Sequence, residues 1–337
     1  MPMSDTDEIL AVKAAELYYE AGKTQDEIGV ALSISRWKVG RLLVQAREHG
    51  FVRIEIVHPS ARRFPLEREL RARFGLQDAV VVPVLDADVQ ARVAQAAAEY
   101  LTALRPVPRS LGVSWGRTLQ AVAARLRPGW AVGVNPVQIN GSVSHGGESA
   151  GQDDTAVTIA RKAQGTATLL PAPAIFEQAA TRRAVEADRS VQRVLAQARA
   201  ASAYLFSAGV ADAGSVHVSS GYLSAAEVAD LAAAGAVGDV VGRFITADGE
   251  VADAELDQRT LGISLDELRA ARTTIAVIAG EAKHAVCRAV VTSGLCSTLI
   301  TDEASAHMLL ETSRAPVAEP PVPEPRDAGL PVGGAAR

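Results

Sequence analysis

TQDEIGVALSISRWKVGRLLVQAREHG, residues 24–50, sets two short helices about one tight turn. Thr24 can cap the first helix, and Glu27 three residues on completes a capping box. Ile28, Ala31 and Leu32 share one apolar face. Ser33 and Ile34 leave room only for a short turn, and Ser35 can cap a second helix. There Val39, Leu42, Leu43 and Ala46 fall at i, i+3, i+4 and i+7, one buried stripe. The opposite face centres on Trp37, Gly40, Arg41 and Val44, with Lys38 on its flank. Polar and cationic groups therefore crowd the start of the second helix, where a recognition helix meets base edges and phosphates. The pattern predicts a helix-turn-helix. An amphipathic hairpin with a solvated basic face shares its periodicity. The short turn, the Arg/Lys-rich helix start and Gly40, which permits close approach, favour DNA. In that reading Arg36, Lys38 and Arg41 contact phosphates and bases, and Thr24 and Gln25 hold the backbone beside the cap Ser35. Trp37 either meets DNA or packs on a neighbouring element.

On either side of this motif the pattern changes. Residues 8–21 space Leu10, Ala14, Leu17 and Tyr18 as a leading helix that Gly22 ends. After Gly50 the chain alternates: Phe51, Arg53 and Glu55 against Val52, Ile54 and Ile56. That predicts a strand, the wing of a winged helix-turn-helix. His58-Pro59-Ser60 breaks the regularity and sets a domain boundary, giving a DNA-binding domain over 1–58 and a larger domain over 59–314. Residues 315–337, dense in Pro, Gly and Ala, are expected to be a disordered tail.

The chain has 337 residues, enough for two domains, with 48% hydrophobic and 22% charged residues and a net charge of −5. It is not a polycation, so any nucleic-acid surface must be local. Over residues 35–53, Arg36, Lys38, Arg41, Arg47 and Arg53 face Glu48 alone, a patch of the right kind. Cys287 and Cys296 are the only cysteines and read as small buried hydrophobes in a reducing compartment. The histidines show no metal-ligand spacing. There is no basic-then-apolar signal at the N-terminus and no apolar run of roughly 18 residues, so a cytoplasmic protein without membrane contact is expected.

From residue 66 onward strands and helices alternate. Helices are expected over 66–74, 89–104, 118–126, 155–164, 182–200, 224–233, 283–292 and 302–312. Strands are expected over 79–84, 110–113, 132–139, 167–170, 203–210, 237–245, 274–279 and 297–301. The β-then-α order and the apolar runs VVV and IAVIA predict an α/β domain, a doubly wound, mostly parallel sheet covered on both faces. In such sheets ligands sit beyond the carboxyl ends of the strands.

Residues 111–118, LGVSWGRT, are the best candidate loop. Gly112 and Gly116 allow close approach, Ser114 and Thr118 can donate, and Trp115 and Arg117 border a helix N-terminus that favours an anion. It lacks the Gly-Lys-Ser/Thr of a nucleotide P-loop, so ATP is not expected. An ordinary tight turn with a capping hydroxyl reads the same way. Gln138, Asn140 and Gly141 leave another strand end with amides suited to sugar hydroxyls. Asp239 and Arg243 add an acceptor and a donor, and Lys283 opens a further strand-to-helix crossing. Together these groups suit a phosphorylated polyol. No catalytic residue or cofactor is indicated: there is no nucleophile elbow, His145 and His217 stand isolated, and Asp153-Asp154 read as helix caps.

With these segments assembled, the chain resembles the SorC/DeoR-type sugar-binding transcriptional regulators of bacteria. The resemblance runs over about the first 310 positions. It is carried by residues 26–56 together with LGVSWGRTL (111–119), VQINGSV (137–143), LLPAPA (169–174), GAVGDVVGRFITADG (235–249), IAGEAKHAV (278–286) and LITDEASAHMLL (299–310). It implies a winged helix-turn-helix followed by an effector domain of the kind shared with glucosamine-6-phosphate deaminase and ribose-5-phosphate isomerase. It further implies a phosphorylated sugar held by the loop Gly112 to Thr118, Lys283 lining the pocket, and a homodimer or homotetramer on operator DNA. Trp37 departs from the small polar residue usual at its position, and Arg117 from a smaller or uncharged one. The expected function is a sugar-phosphate-responsive regulator of carbohydrate metabolism. An isomerase- or deaminase-like enzyme fused to a DNA-binding module is the rival, and an oligomeriser without ligand is the third possibility.

Overall fold

The computed structural model describes residues 5–52, 62–83, 88–142 and 155–311. The chain divides into two compact units, Met1–His58 and Pro59–Arg337. In the first, helix α1 (Asp5–Ala15) widens into one π-type turn, Glu16–Glu20, before α2 (Gln25–Leu32) and α3 (Arg36–Glu48). The capping box forms as the spacing requires: Glu27 N donates to Thr24 Oγ1 at 3.3 Å, and Thr24 N donates to Glu27 Oε2 at 2.8 Å. Ser33, left-handed at φ 52°, closes α2. A Cβ at Gly29 would lie 2.8 Å from Ile34 O, so this turn needs glycine there. Ser35 Oγ then accepts from Lys38 N and starts α3. Ala11, Ala14, Ile28, Val39, Leu42 and Ala46 are fully buried between the three helices. Of the expected wing only Phe51 and Val52 fall among the described residues.

The second unit opens with α4 (Phe64–Phe74), β1 (Asp78–Val82), α5 (Val89–Ala103), β2 (Ser110–Val113), α6 (Arg117–Arg125), β3 (Asn135–Gln138) and α7 (Thr155–Lys162). Next come α8 (Ala179–Glu186), α9 (Arg189–Arg199), β4 (Ala203–Phe206), β5 (Ala208–Gly209), α10 (Val216–Ser219) and α11 (Ala225–Ala233). The chain continues through β6 (Ala236–Val240), β7 (Arg243–Thr246), α12 (Ala254–Arg259), α13 (Leu265–Ala270) and β8 (Thr274–Val277). It ends with a 3₁₀ turn (Glu281–Lys283), α14 (His284–Thr292), β9 (Thr298–Asp302) and α15 (Glu303–Glu311). Six strands form one parallel sheet in the order β1-β9-β8-β4-β2-β3. Its side chains alternate between two cores. Val81, Tyr204, Phe206, Ala276 and Leu299 pack with α9, α14 and α15. Val80, Val82, Leu111, Leu205, Ile275 and Ile300 pack with α5 and α6. The strand order reverses at β2, whose neighbours are β3 on one side and β4 on the other, and this opens a crevice at their carboxyl ends.

Both edges of the sheet are paired by the chain itself. Along β1, Glu67 Oε1 accepts from Val81 N at 3.0 Å, Arg63 N donates to Val81 O, and Arg62 Nη2 donates to Ala79 O. Glu67, 3% exposed, is held in turn by Arg62 Nε at 2.7 Å. Along β3, Gln138 N donates to Thr168 O and Thr168 N to Pro136 O.

Several expected elements take another form. The helix over 182–200 is two helices, because Asp188 stops α8 and caps α9, its Oδ1 accepting from Ser190 N at 2.8 Å. The extended stretch over 237–245 is the β6–β7 hairpin, turned at Val241 (φ 48°) and Gly242 (φ 86°). With β5 it makes a separate three-stranded antiparallel sheet. The strand over 132–139 shortens to β3, and that over 167–170 to the single bridge at Thr168. Short helices α10, α12 and α13 were not expected, being too brief to show a period. His145, Asp153, Asp154 and the tail lie outside the described residues.

Candidate functional site

A cavity of about 390 Å³ lies at the reversal point, where the loops after β2, β4 and β8 meet the β6–β7 turn. Gly116, at φ 130° and ψ 160°, turns the chain from β2 into α6, a conformation suited to glycine. No side chain among the described residues caps α6. Its first N–H groups have no intrahelical acceptor and its positive end is set beside Ser114, Trp115, Arg117 and Thr118, all of which line the cavity. From the β8 loop, Lys283 Nζ lies 3.4 Å from Thr118 Oγ1 and 3.5 Å from Ser207 Oγ. Burial holds the Lys283 ammonium below its usual range. Asp239 works against this and Arg117 adds to it. A buried amine between hydroxyls and a helix N-terminus is a site for an anion.

The β6–β7 turn brings an acceptor to the same cavity. Asp239 is 5% exposed; its Oδ2 accepts from Gly242 N at 3.2 Å, and its Oδ1 has no partner among the described residues. Gly209 makes room for it, since a Cβ there would lie 2.0 Å from Oδ1. Behind Asp239 stands His217, fully buried, its Nε2 3.5 Å from Asp239 Oδ2. Trp115 and Phe244 flank the imidazole, with centroids 5.6 and 5.4 Å away. Trp115 is itself fixed by donating to Gly141 O at 2.7 Å. The cavity thus carries both cationic groups, Arg117 and Lys283, and carboxylates, Asp239 with Asp212 and Glu281.

Of the residues expected to bind a ligand, Ser114, Trp115, Gly116, Arg117, Thr118, Asp239 and Lys283 come together here. Gly112, Gln138, Asn140, Gly141 and Arg243 do not line the cavity. A Cβ on Gly112 would lie 2.6 Å from Tyr204 Cδ1, and one on Gly141 2.2 Å from Pro173 O, so both glycines serve close packing. Gln138 Oε1 accepts from Leu170 N and its Nε2 donates to Ser142 Oγ. Arg243 turns away to donate to Ile263 O and Gly262 O and to pair with Asp257. Asn140 is buried, and neither amide atom has a partner among the described residues.

Gln90, Ser207, Gly209 and Ser215 line the cavity without having been singled out. Ser207 to Gly209 follow an apolar run in the manner of the other strand-to-loop crossings, which is the signal that would have found them. His217, read as isolated, meets Asp239 only through the fold.

On the first unit, Trp37 is 73% exposed, and the Arg41 guanidinium carbon lies 5.1 Å from its ring centroid. Arg36 is exposed, 3.8 Å from Asp26. Lys38 is drawn off this face by Asp7, whose Oδ1 is 3.1 Å from its Nζ. Thr24 and Ser35 direct their hydroxyls to capping. Gln25 stands beside Gly40. Among the described residues no cluster of three or more His, Cys, Asp or Glu could hold a metal ion, and no helix is long and apolar enough to cross a membrane.

Residues 58–311 match the family described as "Putative sugar-binding domain". The chain is 32% identical over 304 residues to the deoxyribonucleoside regulator of Bacillus subtilis (strain 168), covering 89% of this chain and 97% of that protein. It is 32% identical over 316 residues to the transcriptional regulator LsrR of Enterobacter sp. (strain 638), covering 90% and 94%. Among solved structures, the full-length sorbitol operon regulator SorC of Klebsiella pneumoniae aligns with a TM-score of 0.66. It is 26% identical and covers 92% of this chain and all of that one.

Proposed function

The chain belongs to the SorC/DeoR-type sugar-binding transcriptional regulators, and on that footing we propose that it is a cytoplasmic, DNA-binding regulator of carbohydrate metabolism controlled by a phosphorylated sugar or polyol. One observation carries the choice of ligand: the mix of cationic, hydroxyl and carboxylate groups lining the cavity. The N-terminus of α6, Thr118, Arg117 and the buried Lys283 line it together with Asp239, whose Oδ1 has no partner among the described residues. A phosphate monoester attached to a polyhydroxylated chain fits those groups, the phosphate at the α6 N-terminus and a hydroxyl donating to Asp239. Relatives named for deoxyribonucleosides and for a sorbitol operon accord with a ligand of this class.

DNA is engaged through α3. Arg36 and Arg41 make the base and phosphate contacts, while Lys38, already paired with Asp7, contributes less than its position in the sequence promised. Two protomers of a homo-oligomer would read half-sites about 34 Å apart or a multiple of that. The ligand alters DNA affinity by binding unequally to two arrangements of the oligomer. Fluorescence anisotropy with DNA from the region upstream of the chain's own gene, at fixed salt, tests this. One sugar phosphate is expected to shift DNA affinity while its dephosphorylated form does not, and Lys283→Gln is expected to weaken that response at least tenfold. A response equally strong to the dephosphorylated compound would transfer the site to an uncharged sugar.

A further inference from the structure

The exposed face of α3 is not uniformly cationic. Gln25 and, along α3, Arg36, Trp37, Gly40, Arg41 and Val44 enclose a shallow depression. Its floor is Gly40, where an added methyl would come 3.4 Å from Gln25 Oε1. Its walls are apolar: Trp37 is 73% and Val44 45% exposed. Its rim is cationic, with Arg41 laid over the Trp37 ring at 5.1 Å. Phosphate contacts alone call for none of this. They need neither two exposed apolar side chains nor a glycine inside a helix, where it is a poor former. The one apolar group that base pairs present in the major groove is the thymine C5-methyl, and the commonest specific partner of arginine there is guanine. Stacking on an indole fixes the plane of a guanidinium, and that plane decides bidentate contact.

We propose that this depression reads a thymine beside a guanine. The thymine methyl seats over Gly40 between Trp37 and Val44, and Arg41, held by Trp37, donates to O6 and N7 of the guanine. This deepens the DNA-binding reading and rests on it. The test uses the full chain and its footprinted upstream duplex. Each protected thymine is replaced singly by deoxyuridine, each protected guanine by 7-deazaguanine, and affinity is read by anisotropy. One thymine per half-site is expected to lose about three- to fivefold in affinity without its methyl, and its neighbouring guanine about tenfold without N7. Gly40→Ala fills the floor and meets only the far end of the Gln25 side chain. It is expected to melt no lower than the parent chain by circular dichroism, yet to bind the thymine and uracil duplexes equally. If the parent chain binds DNA and no thymine methyl matters, or if Gly40→Ala keeps the full methyl dependence, the seat over Gly40 is wrong and the DNA-binding reading stands. If the folded parent chain binds no upstream DNA, both fall together.

Discussion

Gly209 and Asp239 occupy each other's space: a methyl on the one would lie 2.0 Å from Oδ1 of the other. Gly209→Ala must therefore displace the carboxylate. We expect it to cost about 1–3 kcal/mol of stability and to weaken ligand binding at least tenfold, read by thermal melting and calorimetry. Lys283 sets a pH dependence. Its ammonium titrates below its ordinary value of 10.5 because it is buried, and an anion prefers the protonated form. Affinity for a phosphate monoester should rise as pH passes about 6, where the second ionisation completes. It should fall as pH passes the lowered lysine pKa, earlier than for an exposed lysine. In Lys283→Gln the alkaline limb should vanish from a calorimetric titration series. Burial also raises both cysteines, Cys296 to about 12 and Cys287 in the same direction. Neither thiol should react with a disulfide reagent at pH 8 until denaturant is added. The place of Thr118 and Lys283 at the cavity was legible because a strand-to-helix crossing is local in sequence and sets its side chains at the rim. Gln138 and Arg243 stand outside the cavity lining because a polar side chain at a strand end can face the cavity or bond neighbouring chain, and only the fold decides. His217 had no signal at all: its environment is built from β6, β7 and the loop after β2.

Elements with a complete local signature emerged as expected. The capping box at Thr24 and the i, i+3, i+4, i+7 stripe of α3 are written within a few residues of where they act. The break between α8 and α9 was also written, as Asp188 followed by Ser190, but the flanking apolar spacing hid it. The β6–β7 hairpin was missed for a different reason. Its turn puts Val241, a β-branched residue, at φ 48°, which propensity argues against. Gly116 governs the α6 element. At φ 130° any side chain is strained, so Gly116→Ala should cost about 1–3 kcal/mol and shift the first turn of α6. The expected outcome is a lower melting temperature together with loss of phosphate-monoester binding, while Gly116→Ser offers no rescue despite its capping hydroxyl.

The parallel sheet as a whole was legible from alternating β and α patterns, because both of its faces must be apolar. Its strand order was not, since no local signal tells β4 to return beside β2 and so open the crevice. Nor did the sequence announce how the sheet ends. Glu67 closes one edge, and its removal leaves Arg62 and Val81 N–H without their partner. Glu67→Ala should cost about 2–4 kcal/mol, the lower part of the range reflecting the partial exposure of Arg62. It should also promote self-association at high concentration, measured by sedimentation velocity. That clamp, with the segment at Thr168 on the far side, limits how this sheet can be extended. The outward backbone groups of Ala79 and Val81 on β1, and Pro136 O and Gln138 N on β3, are already paired, so another strand would meet few free groups at either edge of this sheet. A backbone ladder between two copies would be far harder for a small ligand to rearrange than side-chain contacts. In an oligomer of the kind proposed, side-chain contacts could be rearranged by the roughly 1–3 kcal/mol that a small molecule typically contributes between two sites, and the closed edges of this sheet leave contacts of that kind.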